Sequence, residues 1–311
     1  MKYFCRMILT RFRRFLGVIL AFGATQNRAS EVKDGEVGAP FPVKNVVVST
    51  TSFQSKDPHA VVSSNVSFLN HLFKEHFKEG EVSRDALRSY YVDYYVAQIL
   101  NGGFSQFVYN SRWNAHVIQL VREGLQAMSA TEHLKLFEES AKVLDKLSEA
   151  DLKKYLERDY FGENPQRDAL NDPSDKFMAL MKTEDLYALN GKWLRSLPHL
   201  TILSIEDMQA EIDRRAAAMP NREARVAEAL ASEPRFQKII RALCARSGQK
   251  LSDITAGNPS HVYQGQRVLA WHFITDKGHH YMVETGGKAL MFNDESDKPI
   301  ADVDAPAPVS K

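Results

Sequence analysis

Four side chains near the C-terminus, His272, His279, His280 and Glu284, are of the types that ligate a transition metal. They fall in a stretch of strand-forming residues, where successive side chains point to opposite faces. At most one of the adjacent pair His279 and His280 can therefore share a face with His272. The simpler assignment is ordinary half-exposed strand histidines, so no metal and no cofactor is assigned. His71, Glu75 and His76 lie on an early helix but lack the i, i+4 histidine spacing of a helical zinc site. The chain carries no phosphate-binding loop, no Gly-x-Ser-x-Gly turn and no dinucleotide fingerprint, and no residue is assigned a catalytic role. Tyr90, Tyr91, Tyr94 and Tyr95 read as a helix's core and its rim, with hydroxyls lining a groove as the alternative.

The remaining candidates form one short segment: Asn101, Gly102, Gly103, Phe104, Gln106, Phe107 and Asn110. A helix running from Ser83 through Leu87, Tyr91, Tyr94 and Ile99 ends at Asn101-Gly102-Gly103, because glycine adopts positive φ at little cost. Phe104 and Phe107, three apart, share one face of the next short helix and can dock on Tyr91, Tyr94 or Tyr95. Gln106 lies off that face, and Asn110 is placed to bond the backbone where the helix stops. These residues predict a structural corner between two packed helices, with a direct binding role as the alternative.

The helix ending in Asn-Gly-Gly-Phe, followed by a polar residue, Gln, an aromatic residue and a terminal Asn, resembles the core of the DNA-mimic protein family. The resemblance extends less clearly to about Gly162. It implies a helical domain whose partner is another protein, bound by presenting carboxylates in place of DNA phosphates. Such mimicry needs a strongly acidic face. Residues 61–165 carry 12 Lys and Arg against 15 Asp and Glu. On the helix holding Glu132, Glu138, Glu139 and Asp145, the lysines 135, 142 and 146 interleave, which predicts ion pairs one turn apart on a solvated face.

The elements that position these residues are mostly helices. The fold expected is mainly α, a helical domain with a small C-terminal antiparallel β meander. The divisions are a leader at 1–30, a linker at 31–65, the family-like helical domain at 66–165 and further helices of the body at 166–247. A small β-bearing module at 248–293 and a disordered tail at 294–311 follow. Val46-Val47-Val48 could add one edge strand to the linker, and Gly80 is a plausible stop for the helix holding Phe68, Leu72 and Phe77. Three strands are expected, at 267–274, 280–283 and 289–292, joined by glycine turns.

The chain has 311 residues, with 40 Lys and Arg against 39 Asp and Glu. That balance gives no global drive toward phosphate backbones and argues against direct nucleic-acid binding. Of two cysteines, Cys5 lies in the leader, and Cys244 sits in an apolar run that reads as core. Basic residues 2, 6, 11, 13 and 14 followed by an apolar stretch from Phe15 to Ala24 have the layout of a secretory signal, and the stretch is too short to span a membrane. Export, to the periplasm for a bacterial chain, is one expectation. A cytoplasmic protein with a mis-assigned start is the other. The function these features favour is a non-enzymatic protein-binding or regulatory protein. The rival is a hydrolase or metal-dependent enzyme with its site between helical body and meander.

Overall fold

The computed structural model describes residues 45–144, 146–157, 163–171, 174–293 and 298–305. The leader, the first part of the expected linker and residues 294–297 and 306–311 of the tail lie outside them. The chain divides into two compact units, whose described parts are residues 45–222 and 223–305.

The first unit begins in what was expected to be linker. Strand β1 (Val46–Ser49) pairs in parallel with β2 (Leu200–Leu203), Val46 opposite Leu200. Val46, Val47 and Val48 are all buried, so both faces of β1 are covered. A strand buried on both faces shows an apolar run without alternation, and these three valines form the strand that the sequence allowed within the linker. Ser49 then caps α1 (Thr50–Gln54), its hydroxyl accepting the Ser52 N–H. Helix α2 (Ala60–Lys74) starts five residues before the expected end of the linker. It also stops earlier than Gly80, because His76 takes the left-handed conformation (φ 67°). The Phe77 N–H bonds the Leu72 carbonyl and the His76 N–H bonds that of Phe73. That closes the helix as a glycine would, leaving Gly80 within a short 3-10 helix at Glu79–Glu81.

Helix α3 (Arg84–Ser111) is the spine of this unit, followed by α4 (Ala115–Ala127), α5 (Thr131–Leu144), α6 (Glu149–Glu157), α7 (Pro165–Leu170), α8 (Ser174–Leu180), α9 (Leu186–Ser196) and α10 (Ile205–Ala217). A buried polar seam joins α3 to its neighbours. Asn65 of α2 donates to the Ala86 carbonyl (2.9 Å), and Asn190 of α9 donates to the Ser89 carbonyl (3.0 Å). His59, at the N-terminus of α2, pairs with the buried Asp93 carboxylate at 2.6 Å. Directional bonds of this kind fix helix rotation, which apolar contact alone leaves loose.

The second unit holds α11 (Arg222–Ser232), α12 (Arg235–Ser247) and a five-stranded antiparallel sheet. Its strands, in spatial as in chain order, are β3 (Leu251–Tyr263), β4 (Gln266–Thr275), β5 (Gly278–Thr285), β6 (Lys288–Asn293) and β7 (Ala301–Asp304). The three expected strands are β4, β5 and β6. Strand β7 lies in the expected disordered tail, where Ala301 and Val303 pack on the sheet core. Strand β3 was hidden by register shifts near Asp253, Ala256 and His261 that interrupt its alternation. Helix α12 belongs with the sheet rather than with the helical body. Its Ile239, Ile240, Leu243 and Cys244 share one core with Phe273, Met282, Ala289 and Met291. On the sheet's other face Tyr263 of β3 lies 5.5 Å from the Phe292 ring of β6, two intervening strands away. The bulged β3–β4 hairpin must therefore curl over that face, because each bulge adds twist.

If β1 is core, Val47→Asp forces a carboxylate into a dry site and is expected to cost about 3 kcal/mol or more. Urea denaturation of the full chain checks this; an unchanged midpoint would make residues 45–49 a dispensable linker.

Candidate functional site

The segment Asn101 to Asn110 crosses a break in α3. Helical geometry fails at Gly102 (φ −155°, ψ 22°) and at Gly103 (φ 79°, ψ −175°), where the sequence predicted two helices to meet. A break strands the first amides of the following helical turn. One of them, the Ser105 N–H, is met from far along the chain by Asn171 Oδ1 at 3.0 Å. Asn171 acts as the N-cap of the second half of α3, although it lies between α7 and α8. The Ser105 hydroxyl donates to the Gly102 carbonyl (3.3 Å), and the buried Tyr155 hydroxyl of α6 donates to the Ser105 carbonyl (2.9 Å). Gly103 is required twice over. Its φ is left-handed, and a Cβ there would stand 2.3 Å from Asn171 Oδ1 and 2.8 Å from Ser174 Oγ.

Phe104 and Phe107 point into the core and are 1% and 0% exposed. Phe107 meets the Tyr95 ring edge-on at 5.1 Å and Tyr94 at 6.1 Å, as the spacing predicted. Phe104 packs instead on Trp113 (5.9 Å) and Phe137 (6.3 Å). Tyr95 is the hub, with Phe107, Phe137 of α5 and Phe177 of α8 all edge-on to its ring within 5.5 Å. Burial pushes the Tyr94 and Tyr95 hydroxyl pKa values upward, so neither ionises in the ordinary range.

The polar members bond to one another beside this core. Gln98, 3% exposed, presents Oε1 to two amides, Gln106 Nε2 at 3.0 Å and Asn110 Nδ2 at 2.6 Å. Asn110 thus bonds a side chain across the break and not the backbone expected for it. Gln106 folds back so closely that a Cβ on Gly102 would lie 2.1 Å from its Oε1. Asn101 is exposed at the break, while Gln106 and Asn110 are half-buried. The result is a neutral carboxamide shelf beside the corner. Gln98, Asn171 and Tyr155 were missed in the sequence. Only Gln98 left a signal there, as a polar residue on an otherwise apolar helix face.

The first half of α3 carries ionic partners. Glu123 of α4 accepts from Arg84 (2.6 Å) and from Arg88 (2.9 Å), and the Arg84 hydrogen bond is the main reason its pKa is lowered to about 2. Arg88 also holds Asp85 (2.7 Å), which pairs with His199 (3.1 Å). Glu79 accepts from the Tyr91 hydroxyl and from His116 (2.9 Å), and this bond raises the His116 pKa. Tyr90 is half-buried and Tyr91 buried, with their hydroxyls bonded to Asn70 and Glu79. Glu138 pairs with Arg122 of α4 at 2.6 Å instead of a lysine one turn away.

Of the strand candidates, His279 is the one that joins His272, its Nε2 lying 3.2 Å from His272 Nδ1. His280 turns inward to the Thr275 hydroxyl (3.0 Å), and Glu284 pairs with Arg235 (2.6 Å). Among the described residues no three His, Cys, Asp or Glu side chains cluster as a metal site would need. No helix among them is long and apolar enough to cross a membrane.

Residues 80–197 match the DMP19-like protein family. The match spans less than half of the chain. It contains the break at Gly102-Gly103, the amide shelf, Tyr155 and Asn171, and it leaves out β1 and the whole sheet unit. No curated protein and no solved structure matches the chain.

The geometry separates the segment's two faces. Phe107→Ala is expected to lower stability by about 3–5 kcal/mol, as deleting a fully buried ring does. Gln106→Ala is expected to cost no more than about 1 kcal/mol, since Asn110 still satisfies Gln98. Paired denaturant titrations compare them; equal losses would contradict the division into core and shelf.

Proposed function

We propose that this is a non-enzymatic protein-binding protein whose DMP19-like domain meets its partner through the neutral shelf of Gln98, Gln106 and Asn110. The observation that carries this reading is the placement of the shelf within the matched span. Three carboxamides are joined by mutual bonds beside the corner, Gln98 buried and Gln106 and Asn110 half-buried, all within the matched span. Carboxamides offer donors and acceptors together, which suits a protein surface or main chain. Pre-organisation by mutual bonding reduces the ordering cost of binding.

DNA mimicry is the finer expectation attached to this family. It asks for carboxylates that are free to stand in for phosphates. Here Glu79, Asp85, Asp93, Glu123 and Glu138 are each engaged by an arginine or histidine of the same domain. Asp85, Glu123 and Glu138 have their charge offset by arginines, and Glu79 and Asp93 are occupied by hydrogen bonds to histidines. The reading favoured is therefore a protein partner held without phosphate-like charge.

The test is affinity capture from lysate of the producing cell, with the full chain and its Gln106→Ala/Asn110→Ala variant as parallel baits across a salt series. One stoichiometric partner, retained at moderate salt and lost at least tenfold with the variant, is the outcome expected. Displacement of that partner by duplex DNA, with steep salt sensitivity, would favour mimicry instead. No partner at low or moderate salt would overturn the binding assignment.

A further inference from the structure

We infer that His272 of β4 and His279 of β5 form a two-histidine site for a divalent transition-metal ion of the zinc, copper or nickel class. The sheet places them diagonally: His272 lies opposite Tyr281, and His279 stands two residues before Tyr281 on the same face. Their rings are nearly parallel, 13° apart, and His272 Nδ1 approaches His279 Nε2 to 3.2 Å. A separation of that size is what one ion imposes on two imidazoles. With metal–nitrogen bonds of about 2.0–2.1 Å, two nitrogens so placed subtend roughly 100° at the ion, close to tetrahedral.

In the metal-free protein this contact is an N–H···N hydrogen bond, so one of the two facing nitrogens carries a proton. A neutral imidazole can hold its proton on either nitrogen. Shifting that proton to the far nitrogen of the donor ring leaves both lone pairs facing the gap, with no net loss of a proton. The ion then sits roughly 1.3 Å off the line between the two nitrogens, and each ring turns so that its lone pair points there. His279 is exposed and His272 half-buried, so the gap is open to solvent and water completes the coordination. Imidazole nitrogen selects zinc, copper and nickel over calcium or magnesium, which take oxygen ligands.

Both histidines sit on the β4–β5 hairpin, which the rest of the sheet flanks on either side. Tyr281 lies beside His272 at 5.8 Å, and His261 of the curled β3–β4 hairpin reaches the same ring at 6.5 Å. These neighbours limit the rotamers open to His272, which pre-organises a chelate. The site lies in the sheet unit, outside residues 80–197, so it is independent of the partner-binding assignment. It also departs from the expectation of no metal, because the sequence could not say which of His279 and His280 turns toward His272.

Calorimetric titration of the full chain with zinc and with copper(II) chloride at neutral pH tests this. One ion per chain is expected. His272→Ala or His279→Ala should each weaken that binding by about a hundredfold, because a chelate becomes a single ligand. His71→Ala, whose imidazole bonds the Ser67 carbonyl, should leave it unchanged. Copper EPR of the wild-type chain should show coupling to two equivalent imidazole nitrogens, and circular dichroism should confirm that the variants keep their fold. Wild-type affinity in both single variants, or coupling to a single nitrogen, would overturn the proposal.

Discussion

A helix that breaks inside a protein leaves amide groups that cost about 1–3 kcal/mol each when dry and unpaired. In this chain the amide of Ser105 is met by a side chain 66 residues away, Asn171. Much of the helical unit follows from that bond. The break lets the chain of α3 change direction, so that Phe104 and Phe107 come to lie against Tyr95 and Phe137 in one aromatic core. Reaching across, Asn171 ties the segment joining α7 and α8 to the spine, and Phe177 of α8 then closes the hub around Tyr95. Gly103 makes the approach possible, having neither a Cβ to clash with Asn171 nor a penalty at positive φ.

The same break creates the shelf. Gln98 sits before it and Gln106 and Asn110 after it, so the bend brings two amides to the Gln98 oxygen. Core and shelf are thus two parts of one corner, both built on the same break. The ionic pairs along the first half of α3 belong to the architecture too. The contacts of Arg84 and Arg88 with Glu123 lock α3 to α4, and with the Arg88–Asp85 pair inside α3 they engage charge that mimicry would display.

What the sequence revealed depended on how local the cause was. The glycine pair, the phenylalanine spacing and the three β-rich runs are local signals, and each appears where expected. Asn171 gave none, because its role depends on a partner distant in the chain. Strand β1 stands where the sequence allowed one edge strand in the linker, but its burial was not legible, because its parallel partner β2 lies some 150 residues on. Strand β3 was missed because bulges scramble its period, and β7 because its acidic neighbours suggest disorder although Ala301, Val303 and Ala305 pack on the core. His279 and His280 were correctly seen to part company, but which one turned toward His272 depended on the register of β4 with β5.

The central claim is that Gly103 and Asn171 act as one device. A double-mutant cycle on stability tests it most directly, using Gly103→Ala, Asn171→Ala and the pair in denaturant titrations. Each single change is expected to cost about 2 kcal/mol or more, and the double change less than their sum by over about 1 kcal/mol. Removing the Asn171 amide frees the space that a Cβ on Gly103 would invade. Strictly additive losses, or a Gly103→Ala variant as stable as the wild type, would contradict the account.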